Sequence, residues 1–374
     1  MSLKPLVSVS IVTFQHERFL AQAIESVLAQ RTTFPIEIVV GVDGGGDDRT
    51  ADIARAYAQQ YPDRVVAICH STRGRGVPGR VNNMSNLRAC RGKYIATLDG
   101  DDLFADPDKL QRQVDALEAD PTLSLCFHDA EVFWDDGSRP AESFYEKRSV
   151  FVRDRFAEAD FGLLDLARWG HSYIPSSAVM VRADCLRPLP EWFDRILAAD
   201  YAIQLLACAE GGARYLPFTG SRYRQHRSSV THTDWQDLPN LRRKAAELDI
   251  YAQHFGLPAQ IFDFGRAWTA YSIAESCTGL GDYHAAKAAL RTSLRSNTFV
   301  FTKRTKDVLK RRTISLAKRA ASYVRPDPET SPIAKSSSVA SAGLLADVRS
   351  FGLALNTIGE AAGRKFFSKA GLRT

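Results

Sequence analysis

The chain has 374 residues, 45% hydrophobic and 25% charged, an ordinary globular composition with room for roughly two domains. No apolar run approaches the roughly 20 residues of a membrane-spanning helix. The start Met1-Ser2-Leu3-Lys4-Pro5 lacks the pattern of a signal peptide, and six scattered cysteines without a C-x-x-C pair argue against a zinc or dithiol motif. The net charge of +6 is uneven: residues 300–374 carry 15 Lys/Arg against 5 Asp/Glu, which leaves −4 on residues 1–299 and argues against a nucleic-acid-binding body.

Leu6 to Val12, rich in β-branched residues with polar alternates, predicts a first strand, and Thr13 to Arg18 is a polar break. Phe19 to Gln30 carries Leu20, Ile24, Val27 and Leu28 on one helical stripe. Ile36 to Val42 predicts a second strand, closed by Asp43-Gly44-Gly45-Gly46-Asp47-Asp48. A helix over Thr50 to Tyr61, a strand over Val65 to Cys69, a helix over Val81 to Cys90 and a strand over Tyr94 to Leu98 follow. Strands alternating with helices predict parallel βαβ units, with ligands expected at the carboxyl ends of the strands.

Beyond residue 107 the pattern changes. A helix is expected from Pro107 through Leu117, strands over Ser124 to His128, Ala178 to Val181 and Ala213 to Leu216, and a helix over Ala198 to Ala209. Residues 240–295 read as all-helical, with helices over Leu241 to Phe255, Phe264 to Thr278 and Tyr283 to Leu294. The pair joined at 281–283 is similar to one tetratricopeptide hairpin, too little for a solenoid. Pro326 to Ser341 reads as a flexible linker before a basic terminus. The expected domains are therefore 1–235, a helical region 236–325, and a linker with a basic tail 326–374.

The segment Leu98-Asp99-Gly100-Asp101-Asp102 places three carboxylates within four residues where an apolar strand ends. Such charges cannot be buried unpaired, so the strand tip must face solvent or a cation. Crowded carboxylate oxygens suit a hard divalent ion with positions open for phosphate oxygens, which points to a nucleoside-diphosphate ligand.

Residues 7–232 resemble the family 2 glycosyltransferases. The resemblance is carried, in order, by Val9-Ser10-Ile11-Val12-Thr13-Phe14, by Glu37 to Gly45 with its acidic turn, by the D-x-D of Leu98 to Asp102, by Ala199-Asp200-Tyr201 with Gly211-Gly212 and Tyr215 following, and by Tyr223-Arg224-Gln225-His226 running on to Val230. It implies the GT-A fold: a Rossmann-like, mostly parallel mixed sheet flanked by helices, here with a helical C-terminal region. It implies an inverting, metal-dependent enzyme that moves a sugar from a nucleotide-diphosphate sugar, a UDP-sugar foremost, to a hydroxyl of a glycan or lipid-linked saccharide in cell-surface polysaccharide synthesis.

Carried over residue by residue, the resemblance gives Asp101 and His226 the Mn²⁺ or Mg²⁺ ion, places Asp99 near ribose or metal with Asp102 in support, and makes Asp43 the reader of the nucleobase. Thr13, Phe14 and Glu17 are placed around base and ribose. Arg224 is expected at the diphosphate. Asp200 is implied as the general base for the acceptor hydroxyl. Arg80 and Asn82, after the basic loop Arg73 to Gly79, are expected to face phosphate. Trp169, His171, Ser176 and Ser177 fall where acceptor contacts occur.

Structural readings stand beside these. Asp102 or Asp106 suits a cap for the helix after Pro107, Asp200 a cap for its own helix, and Asp43 a Gly-rich turn. Val42 and Ala199 stand where many relatives carry acids, which keeps open a rival, a nucleotide-binding or scaffold protein that kept the fold and lost catalysis, although intact Asp101 and Asp200 argue against it. A nucleotidyltransferase would want a Gly-rich basic loop after the first strand, which Thr13-Phe14-Gln15-His16 does not supply. The basic segment 301–324 suits either an anionic membrane surface or a solvated helix, and the expected location is the cytoplasm, with or without peripheral contact at the inner face of the membrane.

Overall fold

The computed structural model describes residues 4–72, 77, 79–145, 160–170, 174–226, 237–297 and 300. The basic loop Arg73 to Gly76, His171, the linker and the basic tail lie outside the described residues. The chain divides into two compact units, residues 1–229 and 230–374. Among the described residues no helix is long and apolar enough to cross a membrane, and all six cysteines are free thiols.

The first unit is built on one mixed sheet. Its parallel part is β1 Val7–Thr13, β2 Ile36–Val42, β3 Val65–Cys69 and β4 Tyr94–Asp99, in the order β3-β2-β1-β4. Helices α1 Leu20–Leu28, α2 Thr50–Gln60 and α3 Arg80–Ala89 make the crossovers. The sheet continues through β8 Met180–Arg182, β6 Leu123–Trp134, β9 Gly212–Gln225 and the two-residue β5 Leu103–Phe104, with β7 Glu142–Ser143 on β6. β4 and β6 each pair antiparallel with β8, β9 runs parallel to β6, and β5 pairs antiparallel with β9. Helices α4 Lys109–Ala119, α5 Leu163–Trp169 and α6 Ala199–Glu210 complete the unit.

The two faces of the parallel strands differ in chemistry. Val7, Val9 and Ile11, Ile36, Ile38 and Val40, and Tyr94, Ala96 and Leu98 alternate onto one face. There they pack with Leu20, Ile24 and Val27 of α1, Ala54 of α2 and Leu110, Val114 and Leu117 of α4. Each large aliphatic side chain buried this way contributes about 1.5–3 kcal/mol. The other face carries Ser8, Ser10, Glu37 and Gly41, and α3 covers it with polar residues. Asn86 Nδ2 donates to the Ile11 and Val39 carbonyls at 2.8 and 3.1 Å, and Asn82 Nδ2 to the Gly41 carbonyl at 2.8 Å. Buried Glu37 accepts from Ser8 Oγ at 2.6 Å and from both the backbone amide and Nε of Arg91, at 2.6 and 2.7 Å.

Two expected elements change length. β9 runs Gly212–Gln225, well past the expected Leu216, because Pro217 and Phe218 bulge out where the register jumps from Leu216↔His128 to Thr219↔Asp129. β6 likewise runs on to Trp134. α5 and the two-residue strands were not expected from the sequence; elements that short carry no period.

The second unit contains α7 Leu238–His254, α8 Asp263–Gly279 and α9 Tyr283–Ser296. Asp237 and Asp282 cap α7 and α9 by accepting from Asn240 and Ala285 amides, each at 2.9 Å. Gly281, at φ 80°, turns the chain between α8 and α9, and Ser293 Oγ donates to the Ala267 carbonyl at 2.8 Å.

Gly41 admits the close approach of α3: a Cβ there would lie 2.2 and 2.3 Å from the Asn82 and Asn86 side-chain oxygens. Gly41→Ala is expected to destabilise the first unit by about 1–3 kcal/mol in urea unfolding, through overpacking. A second expectation concerns Lys109, fully buried with Nζ 2.8 Å from Gln113 Oε1 and 3.8 Å from the centre of the Phe104 ring. Burial lowers its ammonium to about 7. The unfolded chain keeps that proton up to about 10.5 and so binds more protons than the fold between these values. Stability should therefore rise from about pH 7 to about pH 10, and urea titrations of Lys109→Met across that window should show a flatter slope.

Candidate active site

The carboxyl ends of β1, β2 and β4 meet at one edge. Asp43 N–H donates to the Thr13 carbonyl and Gly100 N–H to the Val12 carbonyl, each at 2.9 Å. The register puts Asp99 opposite Val12 and Val42 opposite Thr13. Gly100 must be small: a Cβ there would lie 2.4 Å from Thr13 Oγ1.

β5 follows the acidic turn at once and pairs with the end of β9, Leu103 opposite Arg222. That pairing folds Arg224 and His226 back over Asp101 and Asp102. His226 Nε2 lies 3.0 Å from Asp101 Oδ2. His16 approaches the same oxygen from the β1–α1 loop, its Nε2 at 3.9 Å. It follows Gln15, whose φ of 53° is uncommon for a side-chain-bearing residue. One ligand atom from each of His16, Asp101 and His226 lies within 4.8 Å of the others.

The carboxylates are not equivalent. Burial would raise Asp101, but the hydrogen bond from His226, with the two neighbouring imidazoles adding to it when protonated, holds it below the usual range. Asp99 is pushed up to about 7, by burial first and then by Asp101, with Asp200 adding to the effect and the Ser176 hydroxyl bond opposing it. Asp102 is raised well above its ordinary value by burial and by the charges of Asp101 and Asp99. His16 is lowered, chiefly by burial, which favours the neutral imidazole a metal requires. Two imidazoles and one carboxylate converging on a small space are a donor set that could hold a divalent metal ion. His16 Nδ1 and Thr13 Oγ1 are buried polar atoms without a protein partner, as expected beside a ligand space.

The other expected residues divide. Asp99 accepts a hydrogen bond from Ser176 Oγ, and Asp200, second residue of α6, is close enough for its charge to act on Asp99. Asp43 is buried at the end of β2 and accepts from Gly79 N–H at 3.1 Å. Phe14 is half-buried beside Gly46, and Thr13 is buried at the strand tip. Glu17 is exposed and accepts from Arg49 N–H at 3.1 Å, holding the start of α2.

Three residues expected at the nucleotide have bonds within the fold. Asn82 is tied to Gly41. Arg80, buried, donates from Nε and Nη2 to the Ile196 and Leu197 carbonyls at 2.9 and 2.7 Å. Arg224 donates from Nε to the Asp101 carbonyl, from Nη1 to Asp135 and from Nη2 to Gln22, at 2.6–2.7 Å, while its backbone N–H donates to Asp102 Oδ1 at 2.8 Å. Its guanidinium is thus a brace for the acidic turn. Asp102 is held by that amide, while Asp106 accepts from Asp108 N–H at the start of α4. His16 and Asp135 were missed. A lone histidine in a polar loop has no motif spacing, and Asp135 joins only through the β6–β9 pairing.

The family model described as Glycosyl transferase family 2 matches residues 8–176. An uncharacterised protein of Mycobacterium tuberculosis is 29% identical over 233 residues, 62% of this chain and 62% of that protein's length. Among solved structures, S. aureus TarS 1–349 in complex with UDP-GlcNAc is similar at a TM-score of 0.53 and 15% identity, over 78% of this chain and 81% of that one. The mannosyltransferase PcManGT from Pyrobaculum calidifontis, in complex with GDP-Man and Mn²⁺, is similar at 0.50 and 16% identity, over 95% and 87%. These structural likenesses are of fold, the GT-A fold. Residues 8–176 match the family 2 glycosyltransferases, and the motif order and the sheet agree with that match.

The raised Asp99 carboxyl predicts a pH effect. Its folded value of about 7 exceeds the ordinary 3.8, so the stability it contributes is full at low pH and is lost as pH rises from about 4 through about 7. Thermal melts in chelator should show wild type losing stability over that window relative to Asp99→Asn; parallel curves would refute the assignment.

Proposed function

We propose that this chain is a metal-dependent, inverting glycosyltransferase that uses a nucleotide-diphosphate sugar, a UDP-sugar foremost, and a hydroxyl of a glycan or lipid-linked saccharide in cell-surface polysaccharide synthesis. The observation that carries the reading is the convergence of His16, Asp101 and His226 at the strand tip beside Asp99 and Asp200. The expected setting is the cytoplasm, with the basic tail as a peripheral membrane contact.

His16 Nε2, Asp101 and His226 Nε2 would hold the divalent ion, which when bound supplies positive charge to the diphosphate leaving group. Thr13, Phe14 and Asp43 lie at the ends of β1 and β2, the side where base and ribose would lie, with Asp43 as reader of the base. Asp99 accepts from Ser176, and Asp200 is near enough for its charge to act on Asp99. Asp200 takes the proton of the acceptor hydroxyl as its oxygen bonds to the anomeric carbon and the bond to the diphosphate breaks, inverting the centre. Arg224 braces the acidic turn, so that Asp101 keeps its place as charge develops.

The test is a thermal-shift panel of UDP, GDP, CMP and dTDP with and without Mn²⁺, followed by release of the nucleoside diphosphate from the matching sugar nucleotide. One nucleotide should raise the melting temperature only with Mn²⁺, and Asp101→Asn or His226→Ala should remove the shift. Asp200→Asn should keep the shift and lower turnover by about 10²–10⁴-fold. A shift without any turnover would favour the rival that binds nucleotide without catalysis, and no shift with any nucleotide would sink the donor site.

A further inference from the structure

Arg80 begins α3, yet its side chain serves a different element. Nε and Nη2 donate to the Ile196 and Leu197 carbonyls, 2.9 and 2.7 Å away, and the guanidinium lies 5.3 Å from the centre of the Phe193 ring. Both carbonyls belong to the buried turn that leads into α6, whose second residue is Asp200. α6 begins at Ala199, and Ala198 at the position before it offers no capping side chain. An uncapped helix start loses about 0.5–2 kcal/mol of local stability relative to a capped one. Its first turn therefore depends on what holds the residues before it. Next to Arg80, the Gly79 amide donates to Asp43 at 3.1 Å. Two consecutive residues at the start of α3 thus hold the end of β2 and the approach to α6.

We infer that Arg80 is a positioning residue for sugar transfer: by clamping the Ile196 and Leu197 carbonyls it fixes the first turn of α6, and with it the reach of Asp200 toward the acceptor oxygen. The functional half of this inference rests on the reading of Asp200 as general base. The side chain acts through backbone carbonyls that a shorter or neutral residue cannot bridge. A lysine places its three N–H donors on one nitrogen at the end of a flexible stem, without the planar fork, so it holds the two carbonyls less firmly. A displacement of about 1 Å at a reacting group can cost about 10²-fold in rate.

The experiment uses the full chain with Arg80→Met, Arg80→Lys, Asp200→Asn and the double variant Arg80→Met/Asp200→Asn. Hydrogen–deuterium exchange of the metal-free protein comes first and needs no substrate. In Arg80→Met the amides of residues 199–204 should exchange at least about tenfold faster, while peptides from β1 and β4 keep their protection. Arg80→Lys should fall between, which keeps the clamp testable if the methionine variant folds poorly. Unchanged exchange at 199–204 in both variants, or a loss spread evenly over the first unit in both, overturns the clamp. Release of UDP from UDP-GlcNAc, or of GDP from GDP-mannose, then tests the consequence. Arg80→Met should lower kcat by about 10–100-fold with KM for the sugar nucleotide within about threefold, partly restored in Arg80→Lys. The loss should vanish in the Asp200→Asn background, because both changes act at one group. A loss that persists there, or a KM rise instead of a kcat fall, overturns the positioning role. If Asp200→Asn itself leaves kcat unchanged, the base assignment fails while the exchange result still decides the clamp.

Discussion

Three carboxylates within four residues at a strand tip are a constraint the whole first unit answers. Left in a partly buried turn, they would repel one another and resist ionisation. The fold separates them by partner. Asp101 is turned toward two imidazoles and stays charged, Asp102 is turned inward onto the Arg224 amide and its ionisation is disfavoured, and Asp99 is held by the Ser176 hydroxyl. Adjacent residues of one chemical type thus occupy different states, set by what lies across from each. The same arrangement leaves Asp101, its carboxyl held below the usual range, with Oδ2 3.0 Å from His226 Nε2 and 3.9 Å from His16 Nε2.

That division depends on chain connectivity. The turn is fixed on one side by β4 in register with β1, and on the other by β5 pairing with β9. β9 in turn is set by its long parallel register with β6. Arg224 links all of this: it reaches the Asp101 carbonyl, Asp135 at the end of β6 and Gln22 of α1, and lies between the Phe19 and Phe133 rings at 4.6 and 4.8 Å. A planar cation with several donors satisfies these directions at once, which a lysine could not. Site and scaffold are therefore the same structure at this edge.

The parallel half of the fold was legible residue by residue. β2 and β3 have the bounds the sequence predicts, and α1 to α3 differ by a residue or two, because buried strands and a one-sided apolar stripe write a period into the chain. Asp101 and His226 were legible as a pair only through the order of motifs; that they meet is a property of β5 and β9, a two-residue strand and a strand interrupted at Pro217, neither of which has a readable period. His16 carries no local signal at all. Its place follows from the left-handed Gln15 and from the tip of β1. Arg80, Asn82 and Arg224, read from the sequence as ligand contacts, also carry bonds within the fold that no sequence pattern signals: Arg80 and Asn82 to backbone carbonyls, Arg224 to a carbonyl and two side chains.

Those bonds have a physical reason. The carboxyl ends of parallel strands leave backbone carbonyls and amides without ladder partners, and an α/β edge that binds a charged ligand cannot cover them with apolar side chains. They must be met by side-chain amides and guanidinium groups, the residue types that also recognise phosphate and base. α3 makes the exchange visible: it presents Asn82, Asn86 and Arg80 to the sheet and to the approach to α6, and Gly41 gives it room to come close. Composition at such an edge therefore cannot separate a residue that touches substrate from one that holds the residue that does. The distinction lies in where each donor is spent. By that measure His16, Asp101 and His226 converge at the strand tip, while Arg80, Asn82 and Arg224 are bonded to the strand ends and to the approach to α6.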